Sequence, residues 1–252
     1  MQRSIRAKAI INAVRSPGGA RVSELAEATG VSTMTIRRDL AELERLGMLR
    51  RTHGGAVSLP ARGTRLPYGM RVDSGVDQKQ AIAAKAVSLI PDGVSVIIDT
   101  GTTCAAVAQA LAGRDVTALA LSIPAASALG SCPGARVITA GGQLDLDELA
   151  WTGHRVIREI HDFRADFAVI GVCAWDEHAG LTATSAHDAD VKKAMIDSAQ
   201  RVLAVSTADK IGVSATFTAC PTDRVHTLVT RDLPSDAMTW MMAAGVDVID
   251  NA

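Results

Sequence analysis

The sequence predicts an α/β protein in which a small helical head precedes a larger body built on a largely parallel sheet. Three observations predict it. Seven short apolar runs recur between residues 94 and 249, with helical segments between several of them, the alternation that lays helices on both faces of parallel strands. The first 47 residues hold three amphipathic helical patterns instead. Charge divides the chain near the same place. Residues 1–65 carry 12 Lys and Arg against 5 Asp and Glu, a balance of +7, and residues 66–252 carry 14 against 22, a balance of −8, behind a net charge of −1. A chain of 252 residues suits two domains, and its 48% hydrophobic, 3% aromatic composition asks for an aliphatic core.

In the head, Ile5, Ala9, Ile10, Ala13 and Val14 mark a first helix, closed by Ser16-Pro17-Gly18-Gly19. Ser23 to Thr29 makes a short second helix with Leu25 and Ala26 inward, stopped by Gly30. Ser32 is a good N-cap for a third, on which Ile36, Leu40 and Leu43 form one buried stripe and Gly47 is the stop. Met48–Arg51 and Ala56–Leu59 flank a Thr-His-Gly-Gly turn and read as a two-stranded wing. The head therefore spans 1–59, and residues 60–75, with two prolines, three glycines and no apolar period, read as a linker.

The body, 76–252, opens with a helix over Val76–Ile90. Its expected strands are Val94–Ile98, Val116–Leu121, Arg136–Ala140, Phe167–Gly171, Val202–Val205, His226–Val229 and Val246–Ile249. Helices are expected at Cys104–Leu111, Pro124–Leu129, His154–His161, His187–Arg201 and Pro234–Ala244.

Helix, tight turn and capped helix over residues 21–40 are the parts of a helix-turn-helix, whose second helix enters the major groove of duplex DNA. Thr33, Met34, Thr35, Arg37 and Arg38 fall away from the buried stripe, where they reach base edges or phosphates. Arg50, Arg51 and His53 sit in the wing, placed for the flanking backbone. The competing reading is a solvated helix face on which the arginines answer Asp39 and Glu42. The string Thr35-Ile36-Arg37-Arg38-Asp39-Leu40, followed by Leu43, Gly47, Arg51 and His53-Gly54-Gly55-Ala56, resembles the winged helix-turn-helix of the DeoR family of bacterial transcriptional regulators. The resemblance implies that the third helix reads double-stranded operator DNA.

In the body, Asp99-Thr100-Gly101-Thr102-Thr103 lies between a strand and a helix. Ligands of open parallel sheets bind beyond the carboxyl ends of the strands. The amides of Gly101 to Thr103 can face an anion there, Thr102 and Thr103 add hydroxyls, and Asp99 suits sugar hydroxyls. The plainer alternative is that Thr103 only caps the helix. DeoR regulators carry a C-terminal sensor domain resembling the ribose-5-phosphate isomerase and glucosamine-phosphate deaminase fold. The resemblance implies a sugar phosphate on this loop, with further matches at Ala140-Gly141-Gly142, Gly171, Lys192 and Lys210-Ile211-Gly212. Gly141 and Gly142 allow close ligand approach and Lys210 supplies a point charge. The chain departs from the family at Leu121-Ser122-Ile123-Pro124, where many members have Thr-Asn, and at Thr207, where many have Asp; Ser122 stands in for the asparagine.

The four cysteines, Cys104, Cys132, Cys173 and Cys220, form no C-x-x-C pair, so neither a zinc site nor a disulfide framework is expected. His187, Asp188 and Asp190 open a helix, where acids complement the dipole, and no metal or cofactor is expected. Arg3, Arg6 and Lys8 break up any signal-like apolar start, and no apolar run reaches the ~20 residues of a membrane span. The expectation is a cytoplasmic repressor of carbohydrate genes, a homodimer or homotetramer governed by a phosphorylated sugar. The rival is a sugar-phosphate isomerase or deaminase with a DNA-binding head. That chemistry needs a second catalytic partner for Asp99, and the sequence offers none.

Overall fold

The computed structural model of the chain describes residues 3–14, 16, 18–46, 48–58 and 66–250. Pro17, Gly47, Leu59 and residues 60–65, where the sequence places a turn, a helix stop, the end of the wing and the start of a linker, lie outside the described residues. The chain divides into two compact units, Met1–Ser74 and Gly75–Ala252.

The first unit contains helices α1 (Arg3–Ala13), α2 (Val22–Thr29) and α3 (Thr33–Arg45), strands β1 (Ala20–Arg21), β2 (Leu49–Arg51) and β3 (Gly55–Ser58), and a short helix α4 (Tyr68–Arg71). Ile10, Val14, Leu25, Ile36, Leu40, Leu43 and Leu49 form its core. The buried face of α1 is Ala7, Ile10 and Val14; Ile5, expected inward, is exposed. Ser32 caps α3 by accepting from the Thr35 amide at 3.2 Å. Ser32→Ala is expected to cost the head about 1 kcal/mol, measured by urea unfolding of the full chain. The wing has three strands, not two. β3 pairs antiparallel with β2 and also with β1. Gly55 permits this, since a Cβ there would lie 2.1 Å from the Ala20 carbonyl oxygen. Within the expected linker, α4 places Met70 in the head's core, with Leu66 packed against it. The apolar pair carries the head past residue 59.

The second unit begins with α5 (Val76–Ser88), followed by β4 (Val94–Ile98), α6 (Thr102–Leu111), β5 (Val116–Ala120), α7 (Ile123–Leu129) and β6 (Arg136–Thr139). A hairpin of β7 (Gln143–Asp145) and β8 (Ala150–Thr152) leads to α8 (His154–Asp162) and β9 (Ala165–Gly171). Then come β10 (Ala174–Asp176), β11 (Gly180–Ala183), α9 (Ala186–Ser198), β12 (Ala199–Val205), β13 (Phe217–Cys220), β14 (Thr227–Val229), α10 (Ser235–Ala243) and β15 (Asp247–Ile249).

Seven strands form one sheet in the order β15-β14-β12-β9-β4-β5-β6, and every pairing in it is parallel. The expected α/β class and all seven expected strands are therefore present. Alternation within each strand feeds two cores. Ile97, Ala168, Ile170, Val202 and Ala204 point to one. Val96, Ile98, Phe167, Val169, Leu203 and Val205 point to the other. Both faces being apolar, the strands read as unbroken hydrophobic runs. The β7–β8 hairpin and a small antiparallel sheet, β10-β11-β13, were not expected from the sequence. The helix expected to reach Arg201 stops at Ser198, and β12 begins at once.

Candidate functional site

On the head, Thr33, Met34, Arg37 and Arg38 are exposed and Thr35 is half-buried, while Ile36, Asp39, Leu40 and Leu43 turn inward. The acids expected to compete for the arginines are engaged elsewhere. Asp39 holds Arg6 of α1 through Nε at 2.5 Å and Nη2 at 3.3 Å, and Glu42 pairs with Arg3. The Asp39 bond, together with the carboxylate's charge, raises the Arg6 pKa further despite its burial. Asp39 and Glu42 are thus taken by α1 rather than by Arg37 and Arg38. In the wing, Arg50, Arg51 and His53 are exposed. Arg51 is partly committed: its amide donates to Glu44 at 2.7 Å and its guanidinium lies 3.7 Å from the same carboxylate.

In the body, β4, β5 and β6 proceed outward in one direction and β9, β12, β14 and β15 in the other. The chain order reverses between β4 and β9, and the crevice outside their carboxyl ends is where such sheets take ligands. The Asp99–Thr103 loop occupies that point. Gly101 is the N-cap of α6 with φ 101°, a conformation open to glycine, and it contributes no side-chain cap. Thr103 therefore does not cap the helix, and the first-turn amides of α6 have no acceptor within the helix. Thr102 and Thr103 are half-buried.

Asp99 differs from the sequence expectation. It is fully buried, and its carboxylate is spent on the protein. Oδ1 accepts from the Thr100 amide at 2.7 Å; Oδ2 accepts from the Gly171 amide at 3.0 Å and from Lys192 Nζ at 2.7 Å. Lys192, 1% exposed, also donates to Asp188 at 3.0 Å, and Cys173 Sγ donates to the other Asp188 oxygen at 3.1 Å. Burial alone would lower the lysine pKa. Asp188 first, then Asp99, outweigh it and hold the ammonium well above its ordinary 10.5. This triad, with Asp99 and Lys192 buried and Asp188 half-buried, ties the end of β4 to α9 at the switch point. Its signal in the sequence is a charge on an apolar stripe: Lys192 is spaced helically with Ala189, Met195 and Ile196, all buried.

The remaining predicted residues line the same edge in different conditions. Ser122 is buried and caps α7, accepting from the Ala125 amide at 3.4 Å. The Gly141 amide donates to Glu159 at 2.6 Å. Gly142 is required by packing, because a Cβ there would lie 2.6 Å from the Thr152 carbonyl oxygen. Lys210 follows β12 in a short turn, 42% exposed at its side chain and 3.2 Å from Asp209. Two buried nitrogens at this edge have no hydrogen-bond partner among the described residues, Trp151 Nε1 and His187 Nε2. The Trp151 backbone amide donates to Leu121, just past β5, at 3.1 Å, and His187 lies in the first turn of α9. Among the described residues no group of three His, Cys, Asp or Glu could hold a metal, and no helix is long and apolar enough to cross a membrane.

Comparison with known proteins matches both units. Residues 6–61 match the DeoR-like helix-turn-helix domain, and residues 74–232 match the DeoR C terminal sensor domain. The chain is 34% identical to the glycerol-3-phosphate regulon repressor of Haemophilus influenzae, over 96% of this chain and 94% of that one. It is 31% identical to the HTH-type transcriptional repressor GlcR of Bacillus subtilis, over 94% and 92% of the two chains. A looser structural likeness, TM-score 0.40 at 18% identity over 55% of each chain, is to ribose 5-phosphate isomerase a from Methanocaldococcus jannaschii. The rival reading as an isomerase or deaminase falls on the family. With a DNA-reading head and a small-molecule sensor body, the chain belongs to the DeoR family of DNA-binding transcriptional regulators and is not an enzyme.

Proposed function

We propose that the protein is a cytoplasmic repressor of carbohydrate-metabolism genes, acting as a homodimer or homotetramer. In this reading it binds double-stranded operator DNA through Thr33, Met34, Thr35, Arg37, Arg38, Arg50, Arg51 and His53. A phosphorylated sugar is its effector, held at the carboxyl ends of β4 and β9. The observation that carries the reading is the Gly101 turn at the switch point, which sets the N-terminus of α6, uncapped by any side chain and with Thr102 and Thr103 in its first turn, just beyond the carboxyl end of β4. Asp99 works behind the seat. Together with Lys192 it fixes the loop instead of touching the sugar. Trp151 Nε1 and His187 Nε2 supply unspent hydrogen-bonding capacity suited to sugar hydroxyls, and Lys210 supplies charge at the rim. The names of the relatives, a glycerol-3-phosphate regulon repressor among them, agree with a phosphorylated effector.

The switch needs the effector to prefer one arrangement of the heads by ~1–3 kcal/mol. Two heads then address two half-sites together. A melting-shift screen against phosphorylated sugars, followed by gel shift on the chain's own upstream DNA with and without the hit, tests the whole reading. No hit together with no retarded DNA would refute it. Gly101→Val is expected to abolish the melting shift and leave DNA retardation intact, because a β-branched side chain at φ 101° distorts the loop. A normal effector response in that variant removes the loop from the site.

A further inference from the structure

The Gly141 amide sits at the carboxyl end of β6, on the same edge as the α6 amides. Neighbouring strands lie ~4.8 Å apart, so two steps across the sheet, β4 to β5 to β6, put it roughly 10 Å from them. The amide is occupied. Glu159 Oε2 accepts from it at 2.6 Å, while Glu159 Oε1 accepts from Arg155 Nε at 2.8 Å. A backbone amide and a guanidinium converging on one carboxylate are the donor set of an oxyanion site. A Cβ at Gly141 would lie 2.9 Å from Arg155 Nε, which shows how closely the guanidinium lies against this backbone.

The occupant is held as an anion and is cheaply exchanged. The Arg155 bond first, then the Gly141 amide, keep the Glu159 carboxyl below its ordinary range, with Arg158 adding to the effect. Yet the Arg155 side chain is 64% exposed, and ion pairs this open contribute little net stability. Glu159 and Arg155 stand one turn apart on α8, so a rotamer change frees both donors with no backbone movement. A dianionic phosphate offers the same donors more charge and more oxygens.

We propose that the Gly141 amide and Arg155 form a second anion seat of the effector pocket, filled by Glu159 as a stand-in until an effector with an anionic group at each end displaces it. The effector class is then a sugar whose chain carries phosphate at one end and phosphate or carboxylate at the other, spanning roughly 10 Å. This rests on the sensor reading above.

The test is calorimetric titration of the full-length protein with glucose 6-phosphate (one anionic end), fructose 1,6-bisphosphate and 6-phosphogluconate (two ends each, differing in the second group). Wild type, Glu159→Gln and Arg155→Gln are compared, each first checked for an unchanged melting temperature. At least one two-ended probe should bind wild type more tightly than glucose 6-phosphate. Glu159→Gln should bind that probe about tenfold more tightly and Arg155→Gln about tenfold more weakly, with glucose 6-phosphate unchanged across all three. Glutamine still accepts from the Gly141 amide, so a residue that merely pins the loop predicts no change. An unchanged or weaker affinity in Glu159→Gln overturns the proposal, as do equal affinities for one-ended and two-ended probes. If glucose 6-phosphate binds and Gly101→Val abolishes it while Glu159→Gln gains nothing, the second seat alone falls. If no probe binds wild type, this seat falls, while the phosphorylated-sugar reading is decided by the wider melting-shift screen.

Discussion

Lys192→Met is expected to cost the body about 3–5 kcal/mol of folding stability, the largest loss from any single substitution considered for this chain. The side chain is 1% exposed and stands between two carboxylates, Asp99 at 2.7 Å and Asp188 at 3.0 Å. Removing it leaves Asp99, itself fully buried, without a counter-charge, and the penalty for that exceeds what the ion pair contributed. Urea unfolding of the full chain measures the loss. Lys192→Met combined with Asp99→Asn is expected to recover a substantial part of it, since an amide needs no cation. A double variant no more stable than Lys192→Met would show that the lysine matters through packing alone. The dependence on pH has a definite sign. The folded pKa of Lys192 is raised above 10.5, so its stabilisation is complete below that value and fades only as pH climbs through the higher folded value. Between pH 6 and 9 this group contributes no slope.

Arg37→Ala is expected to weaken operator binding by roughly tenfold to a hundredfold and to leave effector binding unchanged. The side chain lies on the exposed face of α3, and both acids that could hold it back are engaged by α1, Asp39 by Arg6 and Glu42 by Arg3. Gel shifts at several salt concentrations distinguish its target. A phosphate contact lowers the salt slope by about 1 and weakens all sequences alike, whereas a base contact relaxes preference at one position of the operator. Retained affinity together with an unchanged slope would place Arg37 outside the interface. Arg51 is expected to matter less, because Glu44 already holds its amide and stands beside its guanidinium.

The legible parts of this chain are those fixed by local pattern. The seven parallel strands stand out because residues such as Val96, Ile97 and Ile98 face two cores in turn and all are apolar. Ser32 and the stripe Ile36-Leu40-Leu43 announce α3 within one stretch of sequence. What was hidden depends on partners far along the chain. β7 and β10 are three residues each, Gln-Leu-Asp and Ala-Trp-Asp, too short and mixed to show a period. Asp99 reads as a ligand-loop carboxylate until Lys192, 93 positions later, takes it. Gly141 reads as space for a ligand until Glu159 reaches its amide. Ile5 fits the helical period of α1 yet is exposed, because the helix buries the face of Ala7 instead.

The all-parallel pairing of the main sheet also bears on the order in which the protein folds as it is made. Parallel neighbours are never joined by a hairpin, and pairs such as β4 with β9 wait for some seventy intervening residues to be synthesised. Such distant pairings slow folding, whereas the head's helices and wing close over short loops. On the ribosome the DNA-gripping unit, emerging first, is therefore complete while the sensing unit is still an open chain.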